Sequence, residues 1–156
     1  MIRRATYEDI PAIQKIAVES WRKTYCDSIP PKLQQQFLAF DYNQRQLRHR
    51  IDTTAFFVVE LQRHVVGFAN FSCGDTNELE TIYLSPAVWR QGLGHLLMEA
   101  GERLYAPGTE LCVRVDAHNE RAIAFYVAHH FTFKQQSTER VGAVVLTTNT
   151  MHKIMP

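Results

Sequence analysis

The spacing of apolar positions changes period several times along the chain, and each change marks an element. A short apolar and basic run over residues 2–5 reads as a strand. Thr6-x-x-Asp9 leads from it into Ile10, Ile13, Ile16, Ala17, Ser20 and Trp21, which recur at helical spacing. Pro11 fits only the first turn of that helix, where no N–H is needed, so Asp9 is the expected N-cap with Thr6 closing the turn before it. Pro30-Pro31 stops this helical region. Helix formers then dominate residues 32–50, with Leu33, Phe37, Phe40, Leu47 and Ile51 as an irregular apolar stripe. A second helix is expected there, with a break near Asp41.

Ala55–Leu61 is rich in β-branched and aromatic residues, Gln62-Arg63-His64 is polar, and residues 65–72 are apolar again, which is the pattern of a β-hairpin. The polar residues 74–77 lead to Glu78–Leu84, whose alternation predicts a strand ending at Ser85-Pro86. Across one glycine-containing turn the period becomes helical, with Leu93, Leu96, Leu97, Ala100, Gly101 and Leu104 outlining a helix that Pro107-Gly108 terminates. Glu110–Asp116 puts Leu111, Val113 and Val115 on one face, and Asn119 then opens a helix carrying Ala122, Ile123, Phe125, Tyr126 and His129. Residues 131–134 and 144–154 are the expected closing strands, joined by a polar link over residues 135–140. The order β-α-α-β-β-β-α-β-α-β-β predicts an α/β or α+β fold around a central mixed sheet.

At 156 residues the chain is the size of one domain, taken here as residues 1–156, and is long enough to bury a core without staples. Its formal net charge of +1 gives no broad face for nucleic acid, so a partner must be chosen by a local site. No apolar run approaches the roughly 20 residues that cross a bilayer, and Met1-Ile2-Arg3-Arg4 leads into no signal-like segment. A cytoplasmic protein without membrane association is expected. Cys26, Cys73 and Cys112 are odd in number and widely separated, which reads as reduced thiols rather than a disulfide framework or a paired zinc site. His129-His130 are adjacent and the other histidines are scattered without ligand spacing, so no metal is expected.

The candidate chemistry lies in the turn Trp89-Arg90-Gln91-Gly92-Leu93-Gly94, between a strand and a helix. Glycines let the backbone curl close to a ligand, and the unsatisfied N–H groups of the first helical turn form an anion site suited to a diphosphate. Taken alone, such a turn is equally explained by packing. Residues 78–98, with this turn after a strand and a Pro-containing bend, resemble the acetyl-CoA motif of the GNAT superfamily of N-acetyltransferases, Gln/Arg-x-x-Gly-x-Gly/Ala. Asn119-Glu-Arg-Ala122-Ile-Ala-Phe125-Tyr126 resembles that superfamily's next motif, Asn-x-x-Ala-x-x-Phe-Tyr, and the opening Arg3-x-Ala5-Thr6-x-x-Asp9 and the element order match as well. Two departures stand out: Trp89 occupies a position usually Gln or Arg, and His130-Phe131 stands where Gly-Phe is usual.

The resemblance implies a single-domain GNAT fold with a mostly antiparallel sheet, and acetyl-CoA as cosubstrate. It places the pantetheine arm along Ile82, Tyr83 and Leu84 and the phosphates on the amides from Arg90 through Gln91, Gly92, Leu93, Gly94 and His95, with Asn119 a further contact to the arm. Tyr126 matches the tyrosine that protonates the departing thiolate in many members and is the first candidate for general acid, the alternative being an aromatic that completes the helix's apolar face. An alkylammonium must lose a proton before it attacks, and Glu80 or Glu78 is the candidate base, Glu80 being preferred. Strand alternation predicts that both share one face with Ile82 and Leu84. Glu19-Ser-Trp21-Arg22-Lys23-Thr24-Tyr25 resembles the acceptor wall of bacterial spermidine/spermine acetyltransferases, so Trp21 and Tyr25 are candidates for holding a cationic amine, although core packing also explains Trp21. Polyamine, another small amine, an aminoglycoside and a peptide α-amine stay open as acceptors. The rival reading is a non-catalytic acetyl-CoA-binding module. A Rossmann-type nucleotide site is set aside, because the turn lacks the third glycine. Family members commonly form homodimers, and residues 141–154 can pair across an interface or close their own sheet; both stay open.

Overall fold

The computed structural model describes residues 1–141 and 143–156. Strands β1 (Ile2–Arg4), β2 (Ala55–Leu61), β3 (His64–Ser72), β4 (Glu78–Leu84), β5 (Glu110–Asp116), β6 (Thr132–Val141) and β7 (Val144–Ile154) form one sheet in the order β1-β2-β3-β4-β5-β7-β6. Every neighbouring pair is antiparallel except β4 and β5, which run parallel. The helices are α1 (Ile10–Thr24), α2 (Pro31–Asp41), α3 (Gln44–Thr53), α4 (Leu93–Glu102) and α5 (Glu120–Ala128).

Alternation along the inner strands sends neighbouring residues to opposite faces and so builds two cores. On one face Phe56, Val58 and Phe68 pack against Ile13, Ala17 and Leu47 of α1 and α3; on the other, Val59, Ala69, Phe71 and Leu79 pack against Leu97 and Met98 of α4. Phe56, Phe68 and Phe71 are almost wholly buried, and each such side chain contributes about 1.5–3 kcal/mol of transfer free energy. Gly101 of α4 lies against the Phe71 ring, and a Cβ there would overlap it, which is what lets α4 sit close on the sheet.

Two local expectations change, and two others become definite. The second helix is two, because the break falls at Tyr42 and Asn43: Tyr42 turns into the core, and the Asn43 side chain accepts a hydrogen bond from Gln46 N at 2.8 Å and starts α3. Asp9 precedes α1, but its carboxylate turns back to accept from Thr6 N at 2.8 Å and from the Arg3 guanidinium through both oxygens, so it fastens β1 to the helix entry instead of capping it. Residues 135–140 are strand rather than link: Gln135 through Arg140 pair in register with β7. Their polarity reflects an edge hairpin exposed to water, where ladder hydrogen bonds and not an apolar face hold the strand. Residues 144–154 close the chain's own sheet, since β7 lies between β5 and β6.

Helix α5 ends in a Schellman arrangement. Phe131 N donates to Tyr126 O and His130 N to Val127 O, each at 3.0 Å, and the Tyr126 and Phe131 rings meet edge to face with centroids 5.8 Å apart. The geometry requires a left-handed residue after the cap, and His130 supplies it at φ 71°. That explains the usual glycine: the departure keeps the turn and strains the backbone. Replacing His130→Gly should therefore stabilise the protein by about 0.5–1 kcal/mol, since a left-handed residue with a Cβ costs about 1–2 kcal/mol and glycine's greater unfolded freedom returns part of it. In a thermal melt this is a rise of about 1–4 °C; a fall would show that the His130 ring contributes more than its strain costs.

Candidate active site

Strands β4 and β5 pair only at Glu78↔Cys112 and Leu79↔Val113 and then part. From Glu80 onward the edge of β4 that faces β5 has no strand partner, although β4 keeps its full pairing to β3 on the other side. The gap opens into a cavity of about 410 Å³ lined by all three layers, with α1 on one side, α4 and α5 on the other, and β4 and β5 between. Backbone groups left unpaired inside a sheet need other partners, so this edge suits an extended polar ligand.

A β-bulge lies at the start of the split. Asn70 of β3 pairs with Thr81 and Phe71 with Leu79, which leaves Glu80 as an extra residue. The bulge interrupts the alternation expected to put Glu80 on the face of Ile82 and Leu84, and the Glu80 carboxylate instead accepts from Asn70 Nδ2 at 2.8 Å. Glu80 lines the cavity; Glu78 is outside its lining and is ion-paired to Arg114 at 2.9 Å. Burial, followed by the charge of Glu78, pushes the Glu80 carboxyl above its ordinary value, against the lowering influence of Arg50, Arg114 and the Asn70 hydrogen bond.

The turn into α4 carries two left-handed residues, Arg90 at φ 66° and Gly92 at φ 81°. Gly92 takes that conformation without strain and starts the helix, and its carbonyl accepts from Leu96 N. The amides ahead of that bond have no helical acceptor, and Arg90, Gly92, Leu93, Gly94 and His95 line the cavity. Gln91 is outside the lining. Trp89, the unusual residue of the turn, donates from Nε1 to Leu84 O at 3.0 Å, an oxygen that also accepts from Ser20 Oγ at 2.9 Å. The Arg121 guanidinium lies 3.5 Å above the Trp89 ring and bridges the turn to α5. Arg121 is missing from the residues singled out by sequence; the available signal was its place two residues after Asn119, in a helix start that faces the anion turn.

Tyr126 is 6% exposed and lines the cavity from α5, and burial, followed by the charge of Tyr83, raises its phenol well above the ordinary value. Its backbone is held by the α5 cap described above. Asn119 spends its side chain on Ala122 N at 3.1 Å and still lines the cavity. At the other end of α5, the His95 and His129 rings are 5.0 Å apart, and burial followed by that neighbour keeps His129 below the ordinary imidazole value. On the α1 side Trp21 donates to Tyr83 Oη at 3.1 Å and meets the Tyr25 ring at 4.8 Å, so both candidate acceptor residues line the cavity as one aromatic wall. Ile82, Tyr83 and Leu84 line it from β4. No cluster of three metal-ligating side chains occurs among the described residues.

Comparison with known proteins fits this geometry. The chain is 33% identical over 106 residues to the uncharacterised N-acetyltransferase YuaI of Bacillus subtilis, a match covering 64% of this chain and 61% of that relative, so the chain spans less than two thirds of it. It is 21% identical over 145 residues to the spermidine N(1)-acetyltransferase of Thermoplasma acidophilum, covering 88% of this chain and 90% of that protein. Among solved structures, the PaiA N-acetyltransferase of Thermoplasma acidophilum in complex with coenzyme A superposes with a TM-score of 0.84 at 20% identity, covering 99% and 98% of the two chains. The model of the acetyltransferase (GNAT) family matches residues 10–131, most of the sheet and every wall of the cavity, and the chain belongs to that family.

Proposed function

We propose that the chain transfers the acetyl group of acetyl-CoA to a primary amine of a small molecule or peptide, by direct attack in a ternary complex. The observation that carries this reading is the convergence, in one cavity, of an unpaired β4 edge, the open amides of α4 and the Tyr126 phenol. The first suits the amides of a pantetheine arm, the second a diphosphate with Arg90 beside it, and the third a departing thiolate. The family assignment, and the coenzyme A in the similar structure, support it.

The chemistry asks this chain for three things. Glu80 takes a proton from the ammonium, directly or through one water, and frees the lone pair that attacks the thioester carbonyl. Backbone N–H groups on the free β4 edge stabilise the oxyanion that forms as the C–N bond is made. As the C–S bond breaks, Tyr126 donates a proton to the sulfur while the new amide nitrogen loses one, so the phenol is restored by net transfer from nitrogen. The raised value of Tyr126 keeps it protonated across the working pH range, and the buried sulfur's own proton affinity rises in the same surroundings. Trp21 and Tyr25 present ring faces to the acceptor. Of the open acceptor classes, the similarity to a spermidine acetyltransferase puts polyamines first in line for testing.

Thiol release from acetyl-CoA should be followed over a panel of spermidine, spermine, diamines, aminoglycosides and short peptides. One class should turn over, and Tyr126→Phe should lower kcat by about 10²–10³-fold with KM for acetyl-CoA nearly unchanged. Binding of acetyl-CoA without thiol release from any acceptor would leave a binding module in place of an enzyme.

The Gly92→Asp variant should lose most of the rise in Tm that acetyl-CoA gives the wild type, because a carboxylate at the turn repels the phosphates; an undiminished rise would remove the turn from the cosubstrate site.

The pH dependence has a definite sign. The active carboxylate is the ionised form, so kcat/KM falls on acidification, and a raised Glu80 value places that fall above the ordinary carboxylate range. Glu80→Gln should lower the rate about 10²-fold and abolish the acid limb. An intact limb in that variant rules Glu80 out as the base.

A further inference from the structure

Asn70 is fully buried on β3, on the face that carries Phe56 and Phe68, where a polar side chain is costly unless it is hydrogen-bonded. The other buried polar side chains among the described residues have evident structural work: Asp9 binds Arg3, Ser20 donates to Leu84 O, and Gln34 donates to the carbonyls of Tyr25 and Ile29. Asn70 faces the bulge. Its Nδ2 donates to Glu80 Oε2 at 2.8 Å and lies 3.4 Å from Thr54 Oγ1, and its Oδ1 accepts from Thr81 Oγ1.

The amide can be oriented only one way. The Thr54 hydroxyl spends its proton on Arg50 O at 2.7 Å and can only accept, as can a carboxylate, so both groups on one side of the amide demand its NH₂. The Thr81 hydroxyl can donate or accept, so it follows the amide and donates to the carbonyl on the other side. A flipped amide would set its oxygen against two acceptors. Thr54 and the Glu80 carboxylate therefore fix the amide's orientation, with its N–H toward Glu80.

We infer that Asn70 is a positioning residue for acetyl transfer, holding the Glu80 carboxylate at the bulge, aimed into the cleft and in its ionised state. This rests on the reading of Glu80 as the general base. The other groups near Glu80 act on it without bonding to it. Glu78 of β4 disfavours its charge; Arg50 of α3 and Arg114 of β5 favour it, but Arg50 donates to Asp41 O and Arg114 to Glu78; the Tyr105 phenol donates to Ser72 O. Asn70 is the one side chain bonded directly to the carboxylate among the described residues.

The test reads Glu80 itself. The side-chain carboxyl ¹³C resonance of Glu80, assigned by its absence in Glu80→Gln, is titrated in wild type, Asn70→Ala and the isosteric Asn70→Asp, which keeps the packing if the alanine variant is poorly folded. In parallel, kcat/KM is followed against pH with the amine that turns over in the panel above. Loss of a hydrogen bond to the charged form should raise the Glu80 midpoint by about one pH unit in Asn70→Ala, which is a tenfold loss of rate on the acid limb. A like charge in Asn70→Asp should raise it further, with the high-pH plateau kept within a few-fold in both variants. An unmoved Glu80 midpoint in both variants overturns the inference, as does a plateau that collapses while the midpoint stays. A midpoint that moves while Glu80→Gln retains the wild-type limb is a different failure, for it keeps the hold on the carboxylate and removes the base.

Discussion

Everything at the site depends on the parting of β4 from β5 after two paired positions. Splitting a sheet in its middle strands backbone donors and acceptors, and each unpaired group costs unless something else meets it. Here the cost is contained because each strand is held on its far side, β4 by β3 and β5 by β7 along its whole length. The bulge at Glu80 adds local twist where the strands must diverge, so the split begins at a position already bent away from ideal pairing.

The remaining parts of the site are arranged around that opening by ordinary local chemistry. The left-handed turn at Arg90 and Gly92 aims the start of α4 at the mouth of the gap, and the α5 cap fixes Tyr126 within it. Part of the free edge is already occupied. Leu84 O receives both Ser20 and Trp89, which ties α1 to the turn and leaves the stretch between Glu80 and Leu84 for a ligand. Trp89 then serves as a floor for Arg121, so a residue that departs from the usual pattern links three elements and presents a cation at the cavity wall.

Much of the fold was legible in the sequence because its signals were local. Ala55–Leu61 is a strand by its β-branched and aromatic content and Glu78–Leu84 and Glu110–Asp116 by alternation, and the helix after the glycine turn announces itself by a change of period. What escaped was non-local. The strand over residues 135–140 has no apolar pattern of its own and exists because β7 supplies its hydrogen bonds. The place of the expected break, after Asp41, turned on the burial of Tyr42, which no spacing rule shows. At the site, the spacing of Asn119 and Tyr126 and the glycine turn could be read directly, since helix and turn geometry follow from neighbours in sequence. The placement of Glu80 could not, because a bulge is defined by the partner strand; nor could Asn70, whose role exists only across that pairing.

The position of β7 bears on how the molecule comes into being. Strand β5 has only two paired positions with β4, but full register with β7, from Glu110↔Ile154 to Asp116↔Thr148, and beyond its ends Met155 and Thr109 exchange a further backbone bond. One wall of the cleft is thus secured by a strand that follows every residue of the site in sequence. A chain holding every residue through α5 would carry the turn, both glutamates and Tyr126, yet its β5 would have only two paired positions to lean on. The cleft is complete only when the sheet has closed around it.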